Sequence, residues 1–188
     1  MILIAAGRGL RFDRAVAQWI QQLGVGWPWL HDFMLVITHF GDTASMISVT
    51  ILVAALLVRL TNGRRASFTM LLALAIAWIS NNLIKFLFAR ERPQLSTLFV
   101  DPTSYSFPSG HAMISTAVYG CAALLLSEAL PRFKWLIVPV ALLLAFFVGT
   151  SRIYLDAHWP SDVVAGFAGG WMTISLVRII LPAQSAPR

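Results

Sequence analysis

Five apolar runs divide the chain, each close to the roughly 20 residues a helix needs to cross a bilayer. They cover 43–60, 67–89, 108–128, 134–153 and 161–181. The links between them are mostly short: TNGRRA joins the first run to the second and ALPRFK the third to the fourth, while the second and third are separated by a longer stretch, 90–107, with Pro93, Pro102 and Ser104. Residues 12–23 have a different pattern. Phe12, Val16, Trp19, Ile20 and Leu23 recur at helical spacing as one apolar stripe, and Arg14, Gln18, Gln21 and Gln22 fill the other face. Such a helix lies in the membrane interface rather than crossing it. The MILIAA start is too short to span and lacks the layout of a signal peptide. The pattern predicts an all-α, integral membrane helical bundle of five transmembrane helices plus an N-terminal interfacial amphipathic helix. It forms a single membrane-embedded domain, with 1–32 as the N-terminal segment and 33–181 as the bundle core.

Composition sharpens this reading. Of 188 residues, 58% are hydrophobic and 12% charged, and mean hydropathy is +0.75; a soluble domain carries about 25% charged residues. The net charge of +6 suits anionic lipid or an anionic substrate, and the hydropathy argues against nucleic acid as a partner. Cys121, the single cysteine, lies inside an apolar run as a small core residue and can form no internal disulfide. Alternating spans place Arg59, Arg64, Arg65, Arg132 and Lys134 on one face, which the positive-inside rule makes cytoplasmic. The other face is extracytoplasmic. Five spans also put the N-terminus outside, with Arg8, Arg11 and Arg14 against the charge rule; whether Met1 is the true start is left open. Trp27, Trp29, Trp135 and Trp159 suit an interfacial belt, and Trp78 and Trp171 read as packing residues.

The extracytoplasmic ends collect the ionisable groups. The second span closes with Lys85, Arg90 and Arg92; the third opens with Ser109, Gly110 and His111; the fourth closes with Ser151 and Arg152; and His158 and Asp162 open the fifth. Lys85 and Arg92 are seven apart, two helical turns, and share a face. Arg90 falls about 500° around the same helix from Lys85, so it points away toward headgroups or water. Pro108 suits a first helical turn, Gly110 lets a ligand approach the backbone, and the free N–H groups of that helix start can bind an anion. Asp162 is four residues beyond His158 and can orient its ring. Cations with a helix start mark an anion site, and a carboxylate-held histidine is a nucleophile or base. The second histidine can protonate a leaving oxygen. The chemistry is phosphoryl transfer through a phosphohistidine, although spacing alone does not say which histidine attacks. A zinc site of His111, His158 and Asp162 is the competing arrangement, and Lys85, Arg92 and Arg152 would repel the ion. His31 and His39 read as interfacial or packing residues, Asn81 and Asn82 as interhelical hydrogen-bonders, and Gly166 and Gly170 as a GxxxG helix contact.

Lys85, six residues, Arg92-Pro93; Pro108-Ser109-Gly110-His111; and Ser151-Arg152, five residues, His158, three residues, Asp162 together form a pattern. It resembles the three-part signature of the type-2 phosphatidic acid phosphatase superfamily, which includes bacterial lipid phosphate phosphatases, glucose-6-phosphatase and vanadium-dependent haloperoxidases. The resemblance covers about residues 33 to 181. It implies that His158 is the nucleophile, Asp162 its partner and His111 the general acid, with Lys85, Arg92, Ser109, Gly110 and Arg152 cradling the phosphate. It also implies a helical bundle, no cofactor or metal, and a multi-pass protein of the bacterial inner membrane acting on a lipid phosphate at the extracytoplasmic side. Two features depart from the family. Its membrane members usually have six spans. A subgroup acting on undecaprenyl pyrophosphate usually has Asp where this chain has Gly110, which tilts the substrate toward phosphatidylglycerophosphate or a broad range of lipid phosphates, with undecaprenyl pyrophosphate still open. The expected activity is hydrolysis of a lipid phosphomonoester or pyrophosphate. A lipid phosphotransferase of the same chemistry and a non-catalytic lipid-phosphate carrier are the alternatives.

Overall fold

In the computed structural model, residues 8–61, 64–93 and 104–182 are described. The MILIAA start and Pro102 lie outside them. Among the described residues seven α-helices follow in order: α1 (Arg8–Val25), α2 (Pro28–His39), α3 (Thr43–Thr61), α4 (Arg64–Phe88), α5 (Gly110–Ala129), α6 (Lys134–Tyr154) and α7 (Pro160–Ile180), with a short 3-10 turn at Pro131–Phe133 before α6. The five apolar runs correspond to α3 to α7, all long and apolar enough to span a membrane. One helix, α2, was not anticipated. It is only 12 residues long and opens with Pro28 in its first turn, too short to register as a span.

Helix α5 is the central element, packed against α3, α4, α6 and α7. Its sequence explains the position: Ala112, Ser115, Thr116, Ala117, Ala122 and Ala123 are all buried, and small side chains let neighbouring backbones approach closely where lipid gives no hydrophobic drive between helices. The predicted GxxxG contact faces this helix. A Cβ on Gly166 would lie 2.7 Å from the Ser109 carbonyl oxygen, and one on Gly170 2.7 Å from that of Met113. The core beneath is built from Met46, Leu57, Met70, Val118, Cys121 and Val177, each at most 1% exposed. Most other large apolar side chains of α3, α4, α6 and α7 point outward, as lipid-facing surfaces do.

Because the Gly166 contact is with backbone, no rotamer change relieves it. Gly166→Val should lower the melting temperature in detergent by an amount equivalent to about 1–3 kcal/mol, the usual cost of overpacking. Activity should fall with it, because the atom displaced belongs to Ser109.

Helix α1 is amphipathic as expected, but the bundle takes a different side of it from the apolar stripe. Phe12, Trp19 and Leu23 are exposed, while Asp13 and Ala17 are buried against the starts and ends of the later helices. Gln21 Nε2 donates to Asp156 Oδ1 at 3.1 Å, a second tie between α1 and the α6–α7 loop.

Candidate active site

Four helix ends meet at one end of the bundle: the last turns of α4 and α6 and the first turns of α5 and α7. The α6–α7 loop turns sharply through Asp156 at φ 58, and the Ala157 and His158 N–H groups both donate back to the Arg152 carbonyl. This closure buries His158 to 3% exposure and sets its ring over the start of α7.

The imidazole is held from two sides. Nδ1 lies 3.5 Å from Asp162 Oδ2, at the outer limit of a hydrogen bond, and Nε2 lies 3.2 Å from Arg92 Nη1. A guanidinium can only donate, so Nε2 carries the lone pair and Nδ1 the proton, facing the carboxylate. Burial is the main cause pushing His158 from its ordinary 6.5 down to about 3, and the positive charges of Arg92 and Lys85 add to it against the opposing pull of Asp162. The ring is therefore neutral at physiological pH, with its lone pair turned toward cations.

Asp162 is fully buried, and three further donors reach its carboxylate. Oδ1 accepts from Arg90 Nη1; Oδ2 accepts from Ser106 Oγ and, at 3.0 Å, from the Trp159 N–H. Ser106 and Trp159 were not recognised from the sequence. Arg92 is spread across the loop between α4 and α5. Its Nε donates to the Ser104 carbonyl at 2.9 Å, Nη2 to Ser104 Oγ at 2.7 Å and Nη1 to the Ala157 carbonyl at 2.8 Å. Lys85 Nζ donates to the Tyr105 carbonyl. Arg152 Nη1 donates to Thr38 Oγ1 on α2 at 2.8 Å, and its charge is felt by Arg92, Lys85 and His111.

Helix α5 starts at Gly110, two residues beyond the Pro108 expected in its first turn, and some of the donors at this start are already committed. Ser109 is the N-cap, its Oγ facing the Ala112 N–H at 3.5 Å, and its own N–H donates to the Asp162 carbonyl at 3.0 Å. The first intrahelical bond is Met113 to Ser109, so the helix supplies no acceptor for the Gly110 and His111 N–H groups. A Cβ on Gly110 would lie 3.1 Å from Asn81 Oδ1, so a side chain there would crowd Asn81. Asn81 Nδ2 makes the expected interhelical bond, to Met113 Sδ on α5 at 3.7 Å, and also donates to the Pro108 carbonyl at 3.4 Å; Asn82 instead bonds back to the Trp78 carbonyl of its own helix.

His111 has a carboxylate partner that the sequence did not disclose. Its Nε2 lies 3.1 Å from Asp42 Oδ1, and Asp42 Oδ2 lies 2.8 Å from His39 Nδ1. His39 thus has company in the site that sequence reading denied it. The hydrogen bond with His111 is the leading cause holding Asp42 at about 2, below its ordinary 3.8. Asp42 is an isolated acid just before a span, and only the α2–α3 corner brings it to a histidine 69 residues away.

The helical reading of 85–92 is overturned. Helix α4 ends at Phe88, Ala89 takes φ 42, and the following residues are non-helical as far as Pro93. Positive φ at an alanine has no sequence signature. The turn rotates Arg90 inward: its side chain is 8% exposed, donates to Asp162 and, at 2.7 Å, to Asp13 Oδ2, and lies 5.7 Å from the Trp159 ring. Arg90 therefore contacts neither headgroup nor bulk water. Trp159, expected in the interfacial belt, covers this pair and donates to the Glu91 carbonyl at 3.2 Å.

Beside His111 opens an apolar cavity of about 350 Å³ between α3 and α4, lined by Gly41, Met46, Ile47, Leu74, Trp78 and Ile114 among others. Ile47 and Trp78 are exposed on the lipid-facing surface, so Trp78 lines this opening rather than packing internally. A Cβ on Gly41 would lie 2.7 Å from His111 Cδ2, which puts the cavity wall against the ring. Among the described residues no three His, Cys, Asp or Glu side chains come together as a metal-binding group.

The chain is 33% identical over 156 residues to phosphatidylglycerophosphatase B of Bacillus subtilis, covering 80% of this chain and 75% of that one. It is 32% identical over 156 residues to an undecaprenyl-diphosphatase of Sulfolobus acidocaldarius, covering 80% and 70%. The crystal structure of a transmembrane PAP2-type phosphatidylglycerolphosphate phosphatase from Bacillus subtilis superposes with a TM-score of 0.85 at 30% identity, over 95% of this chain and 90% of that one. The sequence profile of the PAP2 superfamily matches residues 66–185, a stretch that holds all three motifs, and the chain belongs to that superfamily.

Proposed function

We propose that the protein hydrolyses lipid phosphates through a phosphohistidine on His158, at the extracytoplasmic face of a bacterial inner membrane. The observation that carries this is the Arg92–His158–Asp162 line: a guanidinium 3.2 Å from Nε2 and a carboxylate 3.5 Å from Nδ1 of one buried, neutral imidazole. A phosphoryl group drawn between Arg92, Lys85, Arg152 and the Gly110 and His111 N–H groups would meet the Nε2 lone pair. The P–N bond forms as the P–O bond to the lipid breaks, and His111 gives the leaving oxygen its proton. Asp162 balances the charge that develops on the imidazole ring. Water then attacks the phosphohistidine, its proton passing to His111, and the P–N bond breaks to release phosphate.

The apolar cavity beside His111 suits the hydrocarbon chain of the leaving group, which supports a lipid rather than a soluble substrate. Phosphatidate, phosphatidylglycerophosphate and undecaprenyl pyrophosphate all fit this description. The crowding of Asn81 by any side chain at position 110 is consistent with the glycine there. Arg59, Arg64, Arg65, Arg132 and Lys134 flank the opposite ends of the spans, which supports the outward orientation of the site.

Purified protein in detergent, given a panel of lipid phosphates, should release phosphate at the same rate with and without EDTA. Vanadate should inhibit, because the cation cradle favours an oxyanion resembling the transferring phosphoryl group. Activity lost to EDTA and restored by zinc would replace this mechanism with a metal-based one.

A further inference from the structure

We propose that Asp13, on the N-terminal amphipathic helix, is a positioning residue for the nucleophile, acting through Arg90 on the Asp162 carboxylate. The inference rests on the phosphohistidine reading above and adds to it a residue outside all three motifs. Asp13 is 1% exposed on a helix whose Arg11 and Arg14 are exposed. Among the described residues its hydrogen bonds go to the groups that support Asp162. Oδ1 accepts from the Ser161 N–H at 2.9 Å, and Oδ2 accepts from Ser161 Oγ and from Arg90 Nη2, each at 2.7 Å. The other arm of the same guanidinium, Nη1, reaches Ser161 Oγ at 2.8 Å and Asp162 Oδ1. Arg90 is therefore a fork shared between two buried carboxylates.

Charge explains why two acids are needed. A buried arginine beside Asp162 alone would make a neutral pair and leave nothing to balance the positive imidazole produced by attack on phosphorus. Asp13, Arg90 and Asp162 together carry one net negative charge, facing His158 through Asp162 Oδ2. Asp13 also draws Nη2 away from Asp162 and, by accepting from Ser161, caps the helix that carries Asp162. Removing its charge leaves Arg90 to Asp162 alone, and Asp162 becomes a weaker partner for the ring.

The test is a cycle of isosteric variants: Asp13→Asn, Arg90→Gln and the two combined. Each is assayed for kcat and KM, for the rate of covalent phosphoenzyme formation, and for melting temperature. Asp13→Asn should reduce kcat and the phosphorylation rate by about 10- to 100-fold, the usual effect of removing an outer-shell orienting group, with KM unchanged. In the Arg90→Gln background the same substitution should cost little, because its effect runs through Arg90. The double variant should therefore turn over faster than Asp13→Asn alone. It leaves Asp162 without Arg90, as Arg90→Gln does, so the comparison of these two holds that carboxylate's surroundings fixed and stands even where Asp13→Asn fails to fold. Wild-type kcat in Asp13→Asn, or equal losses from it with and without Arg90, would overturn the proposal. If the wild type itself forms no phosphohistidine, the underlying mechanism fails; if the wild type forms it and Asp13→Asn forms it as fast, only the role of Asp13 fails.

Discussion

His158→Ala should abolish measurable phosphate release while leaving a folded protein of nearly unchanged melting temperature. The bundle does not depend on this ring. Its polar partners are Arg92 and Asp162, and Asp162 retains Arg90, Ser106 and the Trp159 N–H when the imidazole is gone. Catalysis does depend on it, because its Nε2 is the imidazole lone pair set against Arg92 and oriented by Asp162. A water molecule in the space left by the ring would have the cations but no base set against Asp162. The measurement is phosphate release from a detergent-solubilised lipid phosphate beside a melting curve. Near-normal turnover in a folded variant would place the nucleophile elsewhere.

His111→Ala should slow turnover by about 10²–10⁴-fold, the usual contribution of a positioned general acid. The size of the loss should depend on the leaving group. A lipid alkoxide needs its proton, so a phosphomonoester should suffer most. A pyrophosphate, whose leaving phosphate is far less basic, should suffer less. Asp42 gives this acid its orientation: it lies 3.1 Å from Nε2, and its carboxylate, held at about 2, stays ionised throughout the working pH range. An equal loss on good and poor leaving groups would show that His111 binds phosphate without transferring a proton.

Helices α3 to α7 were legible because each is a long apolar run, and length against bilayer thickness needs no knowledge of tertiary contacts. The three motifs were legible for a related reason. Each sits at a helix end, so alternation of the spans alone carries Lys85, His111, Arg152 and His158 to one face. What escaped was set by the turns between helices. A single helix over residues 85–92 turns Arg90 outward; a positive φ at Ala89, where glycine would be the visible signal, reverses it. Asp42 and Asp13 each look like single acids on polar edges. Their partners lie 69 and 77 residues away in sequence, and only the packed corner of α2 and the docking of α1 bring them together. Both carboxylates that sequence reading missed therefore lie ahead of the first motif, Asp42 against His111 and Asp13 against the Arg90 that supports Asp162.

The most direct test of the phosphohistidine at His158 is to trap it. Protein mixed with a ³²P-labelled lipid phosphate is quenched in alkali during turnover, and the labelled peptide is identified. Wild-type protein and His111→Ala should both yield a phosphoprotein that is stable to alkali and labile to acid, with the label on the peptide containing His158. His158→Ala should yield none. Label on another residue, or robust turnover by wild-type protein with no covalent phosphate at any time point, would contradict the mechanism.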